Sequence, residues 1–280
     1  MSSYPIRRPV RVTSWRGLAL VFLAAVAGAF AQAPAFTSIS APRQVVNLGG
    51  NLTLAGVATA ASSYQWKRNG RPIAGATAAS HTLAGAQPVR DNGWYQLVAT
   101  NATGSTTSAV VFVGVAPLVS QIVGWGQNIF GQLQVPSDLG RVLAVSAGEN
   151  ITVALKFGGT VSVWGSFNAI SVAPPSDLTG VVAISAGFGH VLALKSDGTV
   201  VGWGNNSHGQ ATPPAGLNSV VAISAGGAVS AALKADGTVT VWGSNEYGQQ
   251  NMPAGLASVV AVSACLTHLI ALKADGSVSA

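Results

Sequence analysis

Apolar residues between positions 36 and 115 come in short runs of period two, broken by turn residues, which is the pattern of half-buried strands. Leu52 and Leu54 alternate with small or polar neighbours. Tyr64-Gln65-Trp66-Lys67 reads as a strand with its tryptophan inward, and Asn69-Gly70 follows it as a hairpin signal. Asp91-Asn92-Gly93-Trp94-Tyr95-Gln96-Leu97 and Ser108 to Val113 supply later strands. From Ile122 onward the pattern becomes periodic. Trp125, Trp164, Trp203 and Trp242 are separated by 39 residues each, and the same register holds for the glycine after each tryptophan, for Pro136, Pro175, Pro214 and Pro253, and for Lys156, Lys195, Lys234 and Lys273. Each unit carries a Trp-Gly strand end and a polar loop containing proline. An apolar strand such as Val220 to Gly226 follows, then an Ala-Leu-Lys strand that turns at Asp197-Gly198 or Asp236-Gly237 into the next Thr-Val strand. A helix has no room in this unit. One unit cannot bury both of its faces, so neighbouring units must stack.

Composition agrees with sheet. The chain has 34 glycines and its glutamates are Glu149 and Glu246, so strong helix formers are scarce. The N-terminus has a separate character: Arg7, Arg8, Arg11 and Arg16 precede an apolar run from Gly17 to Phe30, and Ala29-Phe30-Ala31 offers small residues at a cleavage site. Residues 1–31 are therefore expected to be a signal peptide cut after Ala31, and the apolar run is shorter than the ~20 residues that span a bilayer. No membrane span is expected in the mature chain. Removing those four arginines takes the formal charge from +6 to +2, which leaves no basic stripe for a nucleic acid. Cys265 is the one cysteine and cannot form an intramolecular disulfide, so packing must supply stability. The four histidines, His81, His190, His208 and His268, lie far apart in sequence, and neither a metal nor a cofactor is expected. Paired carboxylates, a Gly-x-Ser-x-Gly elbow, a His-Glu-x-x-His and a phosphate-cradling loop are absent, so the chain reads as non-enzymatic.

The first domain, residues 36–115, resembles the immunoglobulin-like family, with Trp66 in the place of the buried core tryptophan and Asp91, Gly93 and Tyr95 in the place of the tyrosine corner. Gly56 or a neighbour and Leu97 stand where that family often has its two cysteines. This domain reads as a spacer, because its loops show no aromatic or charged cluster. The second, residues 122–280, resembles the regulator of chromosome condensation repeat family in its short bacterial form. The residues that carry the likeness are Leu192-Ala193-Leu194-Lys195-Ser196-Asp197-Gly198-Thr199-Val200, then Trp203-Gly204-Asn205-Asn206 and Gly209-Gln210. The resemblance implies a β-propeller, usually of seven blades, so the fold expected is all-β: an immunoglobulin-like sandwich followed by an incomplete propeller of about four blades. Further blades are expected from sequence beyond Ala280, with assembly of several chains as the alternative.

Comparing the units with one another separates fixed from variable positions. The tryptophans, the glycines after them and the Ala-Leu-Lys strands are fixed and read as blade packing. His190 and His268 share a position that Ile151 and Val229 fill elsewhere, which fits a core or blade-edge histidine. In the loop after each Trp-Gly, one variable position reads Phe130, Ala169, His208 and Tyr247, and the one before it Ile129, Asn168, Ser207 and Glu246. After the Ser-Ala-Gly strand the variable position reads Glu149, Phe188, Gly227 and Leu266. Aromatic residues in exposed glycine-rich loops suit protein recognition. Phe130, Tyr247, His208, Phe188, Glu149 and Glu246 are thus the candidate partner-binding residues. The pattern is also similar to the secreted β-lactamase inhibitory proteins of the second type, which are propellers of short repeats. The function expected is an exported binding or adhesion protein that presents propeller loops to an extracellular protein or surface ligand. The alternatives are a secreted inhibitor of an extracellular enzyme such as a β-lactamase, or part of a larger surface enzyme.

Overall fold

The computed structural model describes residues 32–117, 121–168 and 170–280. The leader expected over residues 1–31 and Ala169 lie outside them. The first strands are β1 (Ala35–Ile39), β2 (Arg43–Asn47), β3 (Leu52–Thr59), β4 (Ser63–Arg68), β5 (Arg71–Pro72) and β6 (Ser80–Leu83). A single helical turn, α1 (Pro88–Asp91), leads into β7 (Gly93–Asn101), β8 (Gly104–Thr107) and β9 (Val111–Ala116). They form two sheets, β1-β3-β6 and β2-β9-β7-β4-β5, with β8 on β7 and β2 parallel to β9. Leu54, Trp66, Leu83, Tyr95, Leu97, Val111 and Val113 fill the space between the sheets. A Cβ at Gly56 would press on the side chains of Leu97 and Ile39, so the missing disulfide is replaced by an aliphatic residue packed against a bare backbone. At the corner, the Tyr95 hydroxyl donates to the Asp91 carbonyl at 2.9 Å.

The remaining strands make four three-stranded antiparallel blades. The first is β10 (Val142–Ala147), β11 (Ile151–Lys156) and β12 (Val161–Gly165), and the second is β13 (Val181–Ala186), β14 (His190–Lys195) and β15 (Val200–Gly204). The third is β16 (Val220–Ala225), β17 (Val229–Lys234) and β18 (Val239–Gly243), and the fourth is β19 (Val259–Ala264), β20 (Leu269–Lys273) and β21 (Val278–Ser279). The 39-residue period extends to the irregularities: the register shifts at Val142/Ala144, Val181/Ala183, Val220/Ala222 and Val259/Ala261. Middle strands β14 and β17 are covered on both faces, which is why Leu192, Leu194 and Leu233 are buried together with their alternate neighbours Ala193 and Ala232.

The fixed residues have identifiable tasks. The Ser146 hydroxyl accepts the Ala186 amide at 3.0 Å, Ser185 accepts Ala225 at 2.9 Å, and Ser224 accepts Ala264 at 2.8 Å. Each serine of a Ser-Ala-Gly segment therefore stitches its blade to the next. The glycine that follows is required by the same closeness, because a Cβ at Gly148, Gly187 or Gly226 would collide with the carbonyl oxygen of Gly187, Gly226 or Cys265. At the fourth position of this series the residue is Cys265, which is exposed. Ser185→Ala strands the buried Ala225 amide and should cost about 1 kcal/mol, read as a lower urea midpoint with an unchanged slope.

Each tryptophan reaches back to the loop of the preceding unit. The indole N–H of Trp164 donates to the Gln132 carbonyl at 2.9 Å, Trp203 to Val172 at 2.8 Å, and Trp242 to Gln210 at 2.9 Å. Trp125 departs from the expectation that all four are framework. Ile122 to Gly126 forms no strand, and Trp125 is 86% exposed. The physical reason is local to the fold. The two strands that would precede it in a blade are absent, because the sandwich strands β8 and β9 occupy that stretch of sequence.

The spacer reading of the sandwich is also corrected. Trp94 and Phe112 of the sandwich share one buried core with Leu192, Leu194, Val220 and Val221 of the blades. Arg43 donates to the Phe157 carbonyl at 2.6 Å, and Arg141 donates to Pro117 and Asn47 while lying 4.3 Å from the Phe157 ring centre. A domain joined through buried aromatics and arginine clamps is part of the body, not a detached stalk.

Candidate functional site

In a three-stranded antiparallel blade the first and third strands run the same way, so the turn after the first and the loop after the third leave from the same end. Topology therefore brings the two variable loops of the repeat to one rim. One contact between the two kinds of loop registers this, and another links neighbouring loops of the same kind. Phe167, in the loop after Trp164, meets Phe188, in the turn after Ser185-Ala186-Gly187, edge to face at 5.0 Å. His208 of one loop lies 3.6 Å from the Glu246 carboxylate of the next, an ion pair when the imidazole is protonated.

The backbone of these loops is held from below. The side-chain oxygen of Gln132 accepts the Phe130 amide at 3.0 Å, Gln210 accepts His208 at 2.8 Å, and Gln249 accepts Tyr247 at 2.9 Å. An asparagine secures the other side: Asn128, Asn206 and Asn245 accept the amides of Leu133, Ala211 and Gln250 at 2.8–2.9 Å. All three glutamines are buried. The result is a fixed pedestal under a residue that changes from repeat to repeat, with Phe130 half-buried and His208, Glu246 and Tyr247 exposed, Tyr247 by 70%. Glu149 and Phe188 are exposed in the neighbouring turns. Phe130 and Tyr247 stand at opposite ends of the row.

The second unit breaks the scheme. It has Phe167 in the place of the asparagine and Ser171 in the place of the glutamine, so both pins are missing. Its loop folds inward instead: Phe167 is buried, the Ile170 amide donates to the Phe167 carbonyl at 2.7 Å, and Asn168 takes a left-handed φ of 43°. Phe167 is the rim residue that sequence reasoning misses, although the asparagine-to-phenylalanine change at this position is the available signal.

A serine and a histidine do come together, in the core. The Ser230 hydroxyl donates to the Gln210 carbonyl at 2.8 Å, so the 3.0 Å contact with His190 Nε2 has the imidazole N–H donating to serine. This is the reverse of the arrangement in which a histidine takes a serine proton. Both side chains are wholly buried, and burial holds the His190 imidazole down at about 4. The pair is a packing device. Among the described residues no group of three or more His, Cys, Asp or Glu side chains is placed to hold a metal ion, and no helix is long and apolar enough to cross a membrane.

The family described as the regulator of chromosome condensation (RCC1) repeat matches residues 181–210 and 220–249. No curated protein matches the chain. Among solved structures, it is similar to the ectodomain of the Physcomitrella patens receptor kinase CR4, at 22% identity over 65% of this chain and 47% of that one, with a TM-score of 0.45. Yeast RCC1 (Prp20), in its complex with Kap60, is 19% identical over 67% of this chain and 53% of that one, with a TM-score of 0.46. The four N-terminal immunoglobulin domains of Dscam1 match 28% of this chain at 20% identity, covering 20% of that chain with a TM-score of 0.25. The chain thus spans about half the length of the first two. The two matched stretches, in the second and third blades, carry regulator of chromosome condensation repeats, and the described chain is nearly all β, with a two-sheet sandwich ahead of the blades.

Proposed function

We propose that this chain is an exported, non-enzymatic binding protein whose partner is another protein, held at the rim where the variable loops converge. The observation that carries this reading is the contrast between backbone and side chain: buried Gln132, Gln210 and Gln249 fix the same loop geometry while the residue they present changes from Phe130 to His208 to Tyr247. Pre-organised loops bearing aromatic residues lower the ordering cost of association. The basic N-terminus and apolar run before Ala31 support export.

The test is affinity capture from the extracellular proteins of the source organism, followed by titration of the purified partner against wild type and the Phe130→Ala and Tyr247→Ala variants. Tyr247→Ala is expected to weaken binding at least tenfold, or about 1.4 kcal/mol. Unchanged affinity in both variants would place the recognition surface elsewhere.

A further inference from the structure

A cleft of about 770 Å³ opens where the sandwich meets the fourth blade, away from the variable rim. Arg68, Arg71, His81 and Arg90 line its sandwich side, and Val260 and Leu272 form an apolar wall from β19 and β20. Its volume falls within the range of small-molecule sites.

Charge at the cleft is unbalanced for a definable reason. The described part of the sandwich has five cations, Arg43, Lys67, Arg68, Arg71 and Arg90, against one acid, Asp91. Asp91 is already committed. Its carboxylate accepts Arg90 at 2.7 Å and the Gln87 amide at 2.8 Å, and these bonds hold it well below the usual carboxylate range. Arg90 in turn is bound back to the Ala84 and Gly85 carbonyls. Arg43 is spent on Phe157.

Lys67 does not line the cleft, which leaves Arg68 and Arg71; neither makes an ion pair among the described residues, and Arg68 acts on Asp91 only through longer-range attraction. They are also cross-strand partners. Asn69 and Gly70 both take positive φ, 49° and 78°, as a type I′ turn requires, and this two-residue loop sets Arg68 directly opposite Arg71. Directly opposed residues have Cβ atoms about 5 Å apart, and like charges in that position repel. An anion between them would convert the repulsion into two charge-assisted forks, the geometry in which guanidinium groups hold carboxylate and phosphate.

We propose that this cleft binds a small multivalent oxyanion, a polycarboxylate or a phosphate ester, clamped between Arg68 and Arg71 with its apolar portion against Val260 and Leu272. Lys67-Arg68-Asn69-Gly70-Arg71 gathers the charge in sequence, but Arg90 and the blade wall join it only through the fold.

Calorimetric titration of the purified protein with citrate and, separately, with pyrophosphate tests this. Saturable one-to-one binding is expected, weakened at least tenfold in Arg68→Gln/Arg71→Gln and unchanged in Lys195→Gln, whose lysine faces Asp197 on another surface. Binding of citrate alone assigns the site to carboxylates, and of pyrophosphate alone to phosphates. Arg71 is exposed on a two-residue edge strand, so the single variant Arg71→Gln keeps the fold and must itself weaken binding. Absence of saturable binding with both anions, or equal affinity in wild type and the arginine variants, would overturn the proposal.

Discussion

Trp242→Ala should destabilise the protein by about 3–5 kcal/mol, while Trp125→Ala should change stability by no more than about 0.5 kcal/mol. The two residues are equivalent in sequence, three periods of 39 apart. They differ in what lies around them. Trp242 is 6% exposed, packs in the core that joins blades to sandwich, and donates its indole N–H to the Gln210 carbonyl, which also receives the Ser230 hydroxyl. Truncation there removes a large buried surface, leaves a cavity and frees a loop that Gln210 holds in place. Trp125 has none of these contacts to lose. Urea unfolding followed by far-ultraviolet circular dichroism measures both variants on one scale, since the strand signal does not depend on the tryptophan removed. A large loss at Trp125 would mean that this indole is buried in solution against a surface other than the described blades.

The same pair shows what a periodic sequence can and cannot convey. Period encodes what a unit does with itself and its neighbours, and so the strands, the Asp-Gly turns and the Ser-Ala-Gly segments are legible from residue order alone. The turns are local: Asp197, Asp236 and Asp275 each accept the backbone amide two residues on, within a few ångströms of chain. Stacking is nearly as legible, because Ser185 and Ala225 lie in successive repeats and each unit carries the same Ser-Ala pair. The fate of Trp125 is not encoded in its own unit, because it depends on strands that should come before it. The packing of Trp94 and Phe112 on the blades is hidden for a similar reason: alternation marks a residue as inward or outward, and both residues alternate correctly within a sandwich whose outer face happens to meet a second body.

The candidate site is legible in part. Variable positions emerge from comparing repeats, and the structure sets those of the described residues along one rim. The glutamine and asparagine pins are open to the same comparison, since Gln132, Gln210 and Gln249 keep register while Ser171 does not. They escape notice because an amide residue in a polar loop looks like solvent-facing filler until its buried side chain is seen to hold a backbone amide. The basic cleft is legible only at its hairpin, Lys67 to Arg71, and its walls are not. It joins a hairpin, a helical turn and a blade that are far apart in the chain.

Acid should weaken the fold through His190 before Asp91, Asp197 or Asp236 responds. The imidazole is wholly buried between the second and third blades, its Nε2 donating to Ser230 and its Nδ1 without a partner. Burial keeps its folded value at about 4, against 6.5 for the free side chain, because a charged ring there would have no water and no counter-ion. Between those two values the unfolded chain binds a proton that the folded chain refuses. Stability from this group is therefore complete above pH 6.5 and is lost as the pH falls towards 4, by about 3 kcal/mol in all. Half-buried His81 acts in the same direction, moderated by Asp91. Asp91, Asp197 and Asp236, whose values lie below the ordinary 3.8, contribute stability that is lost only at lower pH, so the two effects separate along the pH axis. The repeat itself supplies the control, since Ile151 and Val229 fill the same position in other blades. His190→Val removes the ionisable group and leaves the Ser230 hydroxyl bound to Gln210. Urea midpoints at pH 7 and pH 4.5 should differ strongly in wild type and much less in His190→Val. Equal slopes against pH in the two proteins would show that the imidazole reaches solvent in the folded state and is protonated there.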